Sequence, residues 1–225
     1  TSRSERLAPL HNTDRGLSNF QGFTLLHDTA ATVAAFRQQA SGYRLLHLTT
    51  HAVAGRLGEL PRIEFADTSL FLPELYTIPL ESQLVVLDAR ETGLGTLRQG
   101  EGVLSLARGF AYAGAGSMVY SLWKIRERYS QRLFHRFYAA LNKGLNRVEA
   151  LRSAKRAFLS EAASEAEAGP RAWAGFIYLG PDSPMTLTRN PFRGFLPQLL
   201  LSLAGISLIT ALVIFRRRRS ENQAL

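Results

Sequence analysis

Apolar and polar positions follow strand and helix periods in turn along most of the chain. Short apolar runs predict strands at residues 43–49, 84–89, 117–123 and 175–179. Apolar residues at helical spacing predict helices at residues 29–38, 103–113, 129–142 and 147–163. Because strands and helices alternate, we expect an α/β fold whose mostly parallel sheet is covered by helices on both faces.

The longest apolar run lies near the C-terminus. Residues 196–215 contain no charged side chain, and four consecutive arginines follow, Arg216 to Arg219. A helix of about 20 residues, rising about 1.5 Å per residue, spans roughly 30 Å, the thickness of the hydrocarbon core of a bilayer. We therefore predict a juxtamembrane linker at residues 183–195, one transmembrane helix at 196–215 and a basic tail at 216–225.

The charges on either side of this run predict its orientation. Arg189 and Arg193 precede the run, whereas four arginines follow it. Because positively charged flanks stay on the cytoplasmic side, we expect the tail to be cytoplasmic. In a bacterial inner membrane, the α/β domain would then lie in the periplasm.

Composition narrows the function further. A chain of 225 residues with 46% hydrophobic residues can hold one domain of ordinary size and a tail. Four of the nine net positive charges fall after residue 189, beside the apolar run, so we expect no nucleic-acid partner. The chain contains no cysteine, which excludes disulfides, thiolate metal sites and a cysteine nucleophile. Residues 1–23 begin without methionine, and we expect them to be a linker within a longer protein.

Two histidines stand at the end of the first predicted strand. His47 and His51 are four residues apart, so on a strand they face the same way. No third ligand is close in sequence, and we predict neither a metal nor a cofactor. We place His51 in the loop after the strand, where it is either a general acid or base or an ordinary loop histidine.

A second group of polar residues follows the strand at residues 84–89. Asp88 and Glu91 form a possible carboxylate pair, or pair with Arg90 or Arg98. Gly93 belongs to a predicted glycine-rich loop at residues 93–102 that permits close backbone approach, and the helix after it can receive an anion. The Lys-Ser/Thr ending of a phosphate-binding loop is absent, so nucleotide binding by that route is not expected.

Several blocks of this sequence occur together in one known family. They are HLTTHA (47–52), FADTSLFLPELYTIPL (65–80), LVVLDARETGLG (84–95), GEGVLSLARGFAYAGAGSMVYSLWKI (100–125), FYAALNKGL (137–145) and RAWAGFIYLG (171–180). In these blocks the chain closely resembles the CHAT domain, a caspase-like family of the cysteine peptidase clan that includes separases. The resemblance covers residues 24–182 and implies a caspase-like fold there. Family members often follow tetratricopeptide repeats, so we also expect such repeats upstream.

The resemblance assigns catalytic positions, and the sequence departs from the family at the decisive one. The family histidine falls on His51, but the family pattern Leu-Ser-Ala-Cys-Glu-Thr-Gly puts Arg90 at the nucleophilic cysteine. A guanidinium is neither nucleophilic nor deprotonated at working pH, so Arg90 cannot replace a thiolate. The glycine that helps form the family's oxyanion hole is Ala52 here. Trp123, in the retained block SLW, is expected in the core or a pocket wall.

Three hypotheses follow for the function. The first is a membrane-tethered, catalytically inactive CHAT domain that binds a protein or peptide partner. The second is a hydrolase that uses His51 with another nucleophile, either Asp88 or Ser121. The third is a pocket in which Arg90 holds an anionic group of a ligand without turnover.

Overall fold

The computed structural model describes residues 24–53, 59–91 and 101–185 of the chain. All of them belong to the same compact unit. Within them the strands are β1 (Leu45–Val53), β2 (Arg62–Glu64), β3 (Ser69–Phe71), β4 (Leu84–Glu91), β5 (Met118–Ser121) and β6 (Phe176–Leu179). The apolar runs at residues 43–49, 84–89, 117–123 and 175–179 thus form β1, β4, β5 and β6, as predicted.

The six strands form one sheet in the order β3-β2-β1-β4-β5-β6. Pairing is parallel between β1 and β4 and between β4 and β5. The pairs β1–β2, β2–β3 and β5–β6 are antiparallel. The expectation of a mostly parallel sheet is therefore wrong for the outer strands. Parallel pairing is confined to β1, β4 and β5 at the centre, where helices cover both faces. The hairpin β2–β3 adds antiparallel strands at one edge, and β6 returns antiparallel at the other edge after the helices that follow β5.

Helices cover the two faces of this sheet. They are α1 (Val33–Gln39), α2 (Leu72–Leu75), α3 (Glu101–Tyr112), α4 (Glu127–Asn142), α5 (Arg147–Ser160) and α6 (Glu165–Ala168). Helices α1, α2 and α3 pack on one face against alternate residues of the central strands, including Val85, Leu87 and Met118. Helix α4 packs on the other face, where Phe134 contacts His47 of β1. The predicted covering of both faces is confirmed.

Local signals set the ends of several elements. The Thr32 side chain accepts a hydrogen bond from the Ala35 N–H and begins α1, and the Asn146 side chain does the same for the Glu149 N–H at α5. After α3 the chain turns at Gly114, whose φ of 110° disfavours any other residue. A side chain there would also collide with the Leu80 carbonyl oxygen. This turn directs the chain from α3 back into β5.

The hairpin of β2 and β3 was not predicted. Its strands are only three residues long, which is too short for an alternating pattern to stand out. Glu64 holds the hairpin together, because its carboxylate accepts hydrogen bonds from Arg62 at 2.8 Å and from Ser69 at 2.6 Å. The hairpin extends the sheet beyond β1 and places Ile63 beside Ala52.

No helix among residues 24–53, 59–91 and 101–185 has both the length and the apolar character needed to cross a bilayer. The run at residues 196–215, for which a transmembrane helix was predicted, lies outside the described residues.

Candidate functional site

The two positions that carry the predicted catalytic pair lie side by side. Strands β1 and β4 are parallel neighbours, and their register pairs the Cα atoms of His51 and Arg90. The structure describes the backbone of Arg90 but not its side chain. Sequence positions 39 residues apart are therefore adjacent at the carboxyl ends of two central strands, the edge at which sites form in open α/β sheets.

His51 lies within β1, and the prediction that it belongs to a loop is wrong. Strand β1 continues to Val53 because its end is paired on both sides. Ala52 is paired with Ile63 of β2 and with Glu91 of β4. The backbone of His51 is thus fixed by the sheet, which gives its ring a defined direction.

The His47 ring is held by packing and by hydrogen bonds to neighbouring side chains. It packs against Phe134, with ring centroids 4.9 Å apart. Its Nδ1 lies 2.8 Å from the Tyr138 hydroxyl, and its Nε2 lies 3.3 Å from Thr49 Oγ1. Burial lowers the pKa of His47 from 6.5 to about 4, so the imidazole is neutral at pH 7. Both ring nitrogens are occupied by protein groups, which leaves no lone pair for a metal ion.

Within the part of the chain that the structure describes, no three His, Asp or Glu side chains are grouped closely enough to hold a metal ion. His47 and His51 do share a face of β1, as predicted from their spacing. The contacts of His47 with Tyr138 and Thr49 nevertheless assign it to the packing between β1 and α4.

Asp88 is also buried between the sheet and α4. The residue is 6% exposed, and its carboxylate accepts a hydrogen bond of 3.2 Å from Ser130 Oγ. Burial, together with the nearby charge of Asp88, raises the pKa of Tyr138 well above its usual value. The buried side chains of Asp88, Ser130 and Tyr138 and the partly buried side chain of His47 therefore form a polar group between the sheet and α4, which we call the polar layer. It lies on the sheet face that also carries His51.

Ser121 and Ala52 occupy buried positions next to this edge. Ser121 is 1% exposed, and its hydroxyl donates a hydrogen bond of 3.0 Å to the Ala89 carbonyl oxygen. Its contact is therefore with the backbone of β4. Ala52 is buried in the apolar cluster on the opposite face of the sheet from His51.

Trp123 holds the chain that leaves β5. Its Nε1 donates a hydrogen bond of 3.1 Å to the Arg171 carbonyl oxygen. The ring lies so close to Gly175 that a Cβ added there would be 2.7 Å from it. The ring is partly exposed, and its place in the core or a pocket wall stays a prediction. Trp173 similarly donates to the Ala168 carbonyl oxygen at 3.1 Å.

The remaining predicted site residues are Glu91 and Gly93. The backbone of Glu91 pairs with Ala52 at the end of β4, and its side chain is not described. Gly93 and the rest of the predicted glycine-rich loop up to residue 100 lie outside the described residues. The loop was predicted to extend to residue 102, which is wrong for its last two residues, because α3 begins at Glu101.

The sequence did not single out the basic residues that follow β5. Lys124, Arg126 and Arg128 are exposed and lie within five residues at the edge of the sheet that carries His51 and Arg90. The signal was present as a short cluster of charges, but only the ordering of the strands shows which edge it occupies.

A six-stranded mixed sheet with helices on both faces, and a histidine at the carboxyl end of a central strand, is consistent with a caspase-like fold. A sequence model of the CHAT domain matches residues 5–181. The chain belongs to the CHAT domain family, which is related to the caspase-like peptidases.

Two curated relatives carry the same type of sequence. Tetratricopeptide repeat protein 28 of Homo sapiens is 33% identical over 109 residues, and its Mus musculus counterpart is 32% identical over 109 residues. Each match covers 48% of this chain but only 4% of the relative. The chain therefore corresponds to a small part of those proteins.

Proposed function

We propose that this chain is a catalytically inactive CHAT domain that binds a protein or peptide partner and is held at a membrane by residues 196–215. The observation that carries this proposal is the pairing of His51 with Arg90, together with the absence of any cysteine from the sequence. The residue opposite the family histidine is then a permanent cation, which can bind an anionic group but cannot attack a carbonyl.

The contacts of the alternative nucleophiles also favour an inactive domain. A serine nucleophile needs a histidine as its hydrogen-bond partner, but the Ser121 hydroxyl donates to the Ala89 carbonyl oxygen. Asp88 accepts a hydrogen bond from Ser130 beneath α4 and is almost fully buried. A hydrolase that pairs His51 with either residue would first have to disrupt these buried contacts.

The partner is inferred to be a protein. The names of the two curated relatives identify them as tetratricopeptide repeat proteins. We infer that this domain likewise works next to upstream repeats, which would present the partner to it. Such a domain would recognise the partner protein and position it, while any cleavage of that partner would be performed by another protein.

The membrane anchor rests on the sequence alone. Residues 196–215 are uncharged and are followed by Arg216 to Arg219, so the basic tail is proposed to be cytoplasmic. The domain would then lie on the opposite side of the membrane. Attaching a reporter to the tail and testing its accessibility in intact cells and in permeabilised cells measures this orientation.

The lack of a thiol in this chain permits a clean test of the missing nucleophile. We expect a peptide-based electrophile that reports thiolate nucleophiles to leave the full chain unlabelled. Arg90→Cys introduces a single thiol opposite His51, and we expect this variant to be labelled. The rate should fall by about tenfold or more in Arg90→Cys with His51→Ala, because a general base contributes at least that much.

The outcomes separate the hypotheses. Labelling of the unmodified chain, or peptide hydrolysis that is lost in His51→Ala, would overturn the proposed inactivity. Failure of Arg90→Cys to react would instead show that Arg90 does not occupy the nucleophile position, and mass spectrometry of the labelled peptide identifies the residue that reacts.

A further inference from the structure

Residues 124–128, which we call the basic segment, lead from β5 into α4 at the edge of the sheet that carries the candidate site. Strand β5 ends at Ser121, whose hydroxyl is bonded to Ala89, one residue before Arg90. The chain therefore leaves β5 beside the end of β4. The basic segment thus lies on the rim on which a ligand bound over His51 and Arg90 would rest.

The cations of this segment have no close ion pair with a described carboxylate, and Glu167, whose charge acts on Arg128, is already paired with Arg132. Lys124, Arg126 and Arg128 are all exposed, and none forms an ion pair with a carboxylate of residues 24–53, 59–91 or 101–185. The only acidic residue within the segment, Glu127, accepts a hydrogen bond from Gln131 at 3.2 Å. The segment therefore carries a net positive charge that faces solvent.

Several arginines elsewhere in the described residues form close ion pairs. Arg62 pairs with Glu64 at 2.8 Å, Arg132 with Glu167 at 3.1 Å and Arg152 with Glu149 at 2.7 Å. Such pairs hold the side chains in place and cancel their charge locally. Unlike these paired arginines, the cations of the basic segment keep a charge that is available to a partner.

The segment is nevertheless held in a fixed conformation. The Leu122 N–H donates to the Gly175 carbonyl oxygen at 2.9 Å, and Ile125 is buried. The Arg128 guanidinium donates to the Tyr129 hydroxyl at 2.8 Å and lies 4.8 Å from the centre of that ring. These contacts orient Arg128 while leaving its charge intact, which lowers the entropy lost when a ligand binds.

The position of these charges does not stabilise the helix that follows. Arg126 is the N-cap of α4, and Arg128 lies in its first turn. A helix N-terminus carries a partial positive charge, so cations placed there are unfavourable. The arrangement is better explained by binding of an anionic group than by the stability of α4.

We propose that the basic segment binds an acidic stretch of the partner polypeptide, running along the rim above His51 and Arg90. This inference rests on the proposed function and adds the chemistry of the partner to it. A polypeptide with aspartate or glutamate side chains matches the three cations, and Trp123, at the base of the segment, fixes the surface against which it lies.

The test uses the full chain in detergent and a fluorescein-labelled peptide in which aspartate or glutamate alternates with apolar residues. We expect anisotropy to report binding that weakens as NaCl rises from about 50 to about 500 mM. Exchanging all three cations for glutamine should weaken binding by about tenfold, the sum of three exposed charge pairs.

Single variants supply a matched control. Arg126→Glu should weaken binding several-fold, whereas Lys143→Glu should leave it unchanged. Lys143 is also exposed, but it follows the last residue of α4 and therefore lies at the opposite end of that helix. Both variants change the net charge equally, and thermal melting establishes that each is folded.

Three results would overturn the inference. The first is equal weakening by Arg126→Glu and Lys143→Glu, and the second is no binding of the acidic peptide. The third is Arg126-dependent binding of a single-stranded RNA or of phosphatidylglycerol vesicles that the acidic peptide does not displace, which would assign the segment to nucleic acid or lipid. Each leaves the electrophile test of inactivity unaffected, so failure of this inference is distinguishable from failure of the proposed function.

Discussion

The two faces of the sheet are built with different chemistry. On the face covered by α1, α2 and α3, residues such as Val85, Leu87 and Phe110 form an apolar core. On the face covered by α4, the side chains include the polar layer of His47, Asp88, Ser130 and Tyr138. The stability of the apolar face depends mainly on how closely its side chains fill the available volume. The polar layer on the other face also requires each buried hydrogen-bond donor to meet an acceptor.

This difference indicates which face serves the site. His51 and the polar layer lie on the same face of the sheet, because residues two apart on a strand point the same way. A satisfied polar group beneath a site fixes the position of the strand and helix around it more narrowly than an apolar contact does. The polar face is therefore the one we expect to respond to pH and to loss of single hydroxyl groups.

The largest expected difference concerns acid. The pKa of His47 is about 4 in the fold and 6.5 in a model peptide, so the unfolded chain binds more protons between these values. The contribution of His47 is present above pH 6.5 and is lost as the pH falls towards 4, by about 3 kcal/mol in total. Urea unfolding at a series of pH values should show this decline.

His47→Gln provides the comparison for that experiment. Glutamine keeps a hydrogen-bonding group opposite Tyr138 but does not titrate. The variant should therefore lose clearly less stability than the original chain between pH 6.5 and 4.5. Equal slopes would mean that other groups, and not the polar face, cause the acid sensitivity.

A smaller effect is expected when the hydroxyl of Tyr138 is removed. Tyr138→Phe deprives His47 Nδ1 of its partner at 2.8 Å in a buried position, which costs about 1–3 kcal/mol. Tyr120→Phe on the apolar face is the matched control, because Tyr120 is equally buried and belongs to the apolar cluster. Chemical unfolding at pH 7 should find the control close to the original chain, and equal losses would abolish the distinction between the faces.

The smallest effect is expected at Ser130. Ser130→Ala removes one hydrogen bond to the buried Asp88 carboxylate and should cost about 1 kcal/mol. Ser160→Ala changes the same group at an exposed position of α5, where the hydroxyl donates to the Ala157 carbonyl oxygen of its own helix. The Ser160→Ala variant should lose almost no stability in thermal melting. An equal loss in both variants would show that the polar layer does not contribute specifically to the stability of the fold.

The sequence was informative wherever a pattern is local. Helix α4 was predicted at residues 129–142 and observed at Glu127–Asn142, and β4 was predicted at 84–89 and observed at Leu84–Glu91. The direction of the outer strands was not predictable in this way. Strands of three or four residues carry too little alternation, and their pairing depends on which neighbour is available.

The site was predictable by position but not by surroundings. The spacing and the family resemblance singled out His51 and Arg90, and the register places their Cα atoms opposite each other. Tyr138 and Ser130, which bond to His47 and Asp88, belong to α4, far along the chain, and ordinary apolar spacing predicts only that this helix has a buried face. That Tyr138 and Ser130 contribute hydroxyl groups to these partners is evident only after packing.

The contact between Tyr138 and His47 also has a kinetic consequence. It joins residues 91 positions apart, so the chain must close a long loop before the bond can form. The entropy lost on closure is repaid only once β1, β4 and α4 have assembled together. During synthesis, the strand that carries His51 therefore emerges long before the helix that completes its buried face, and until then that face is exposed to water.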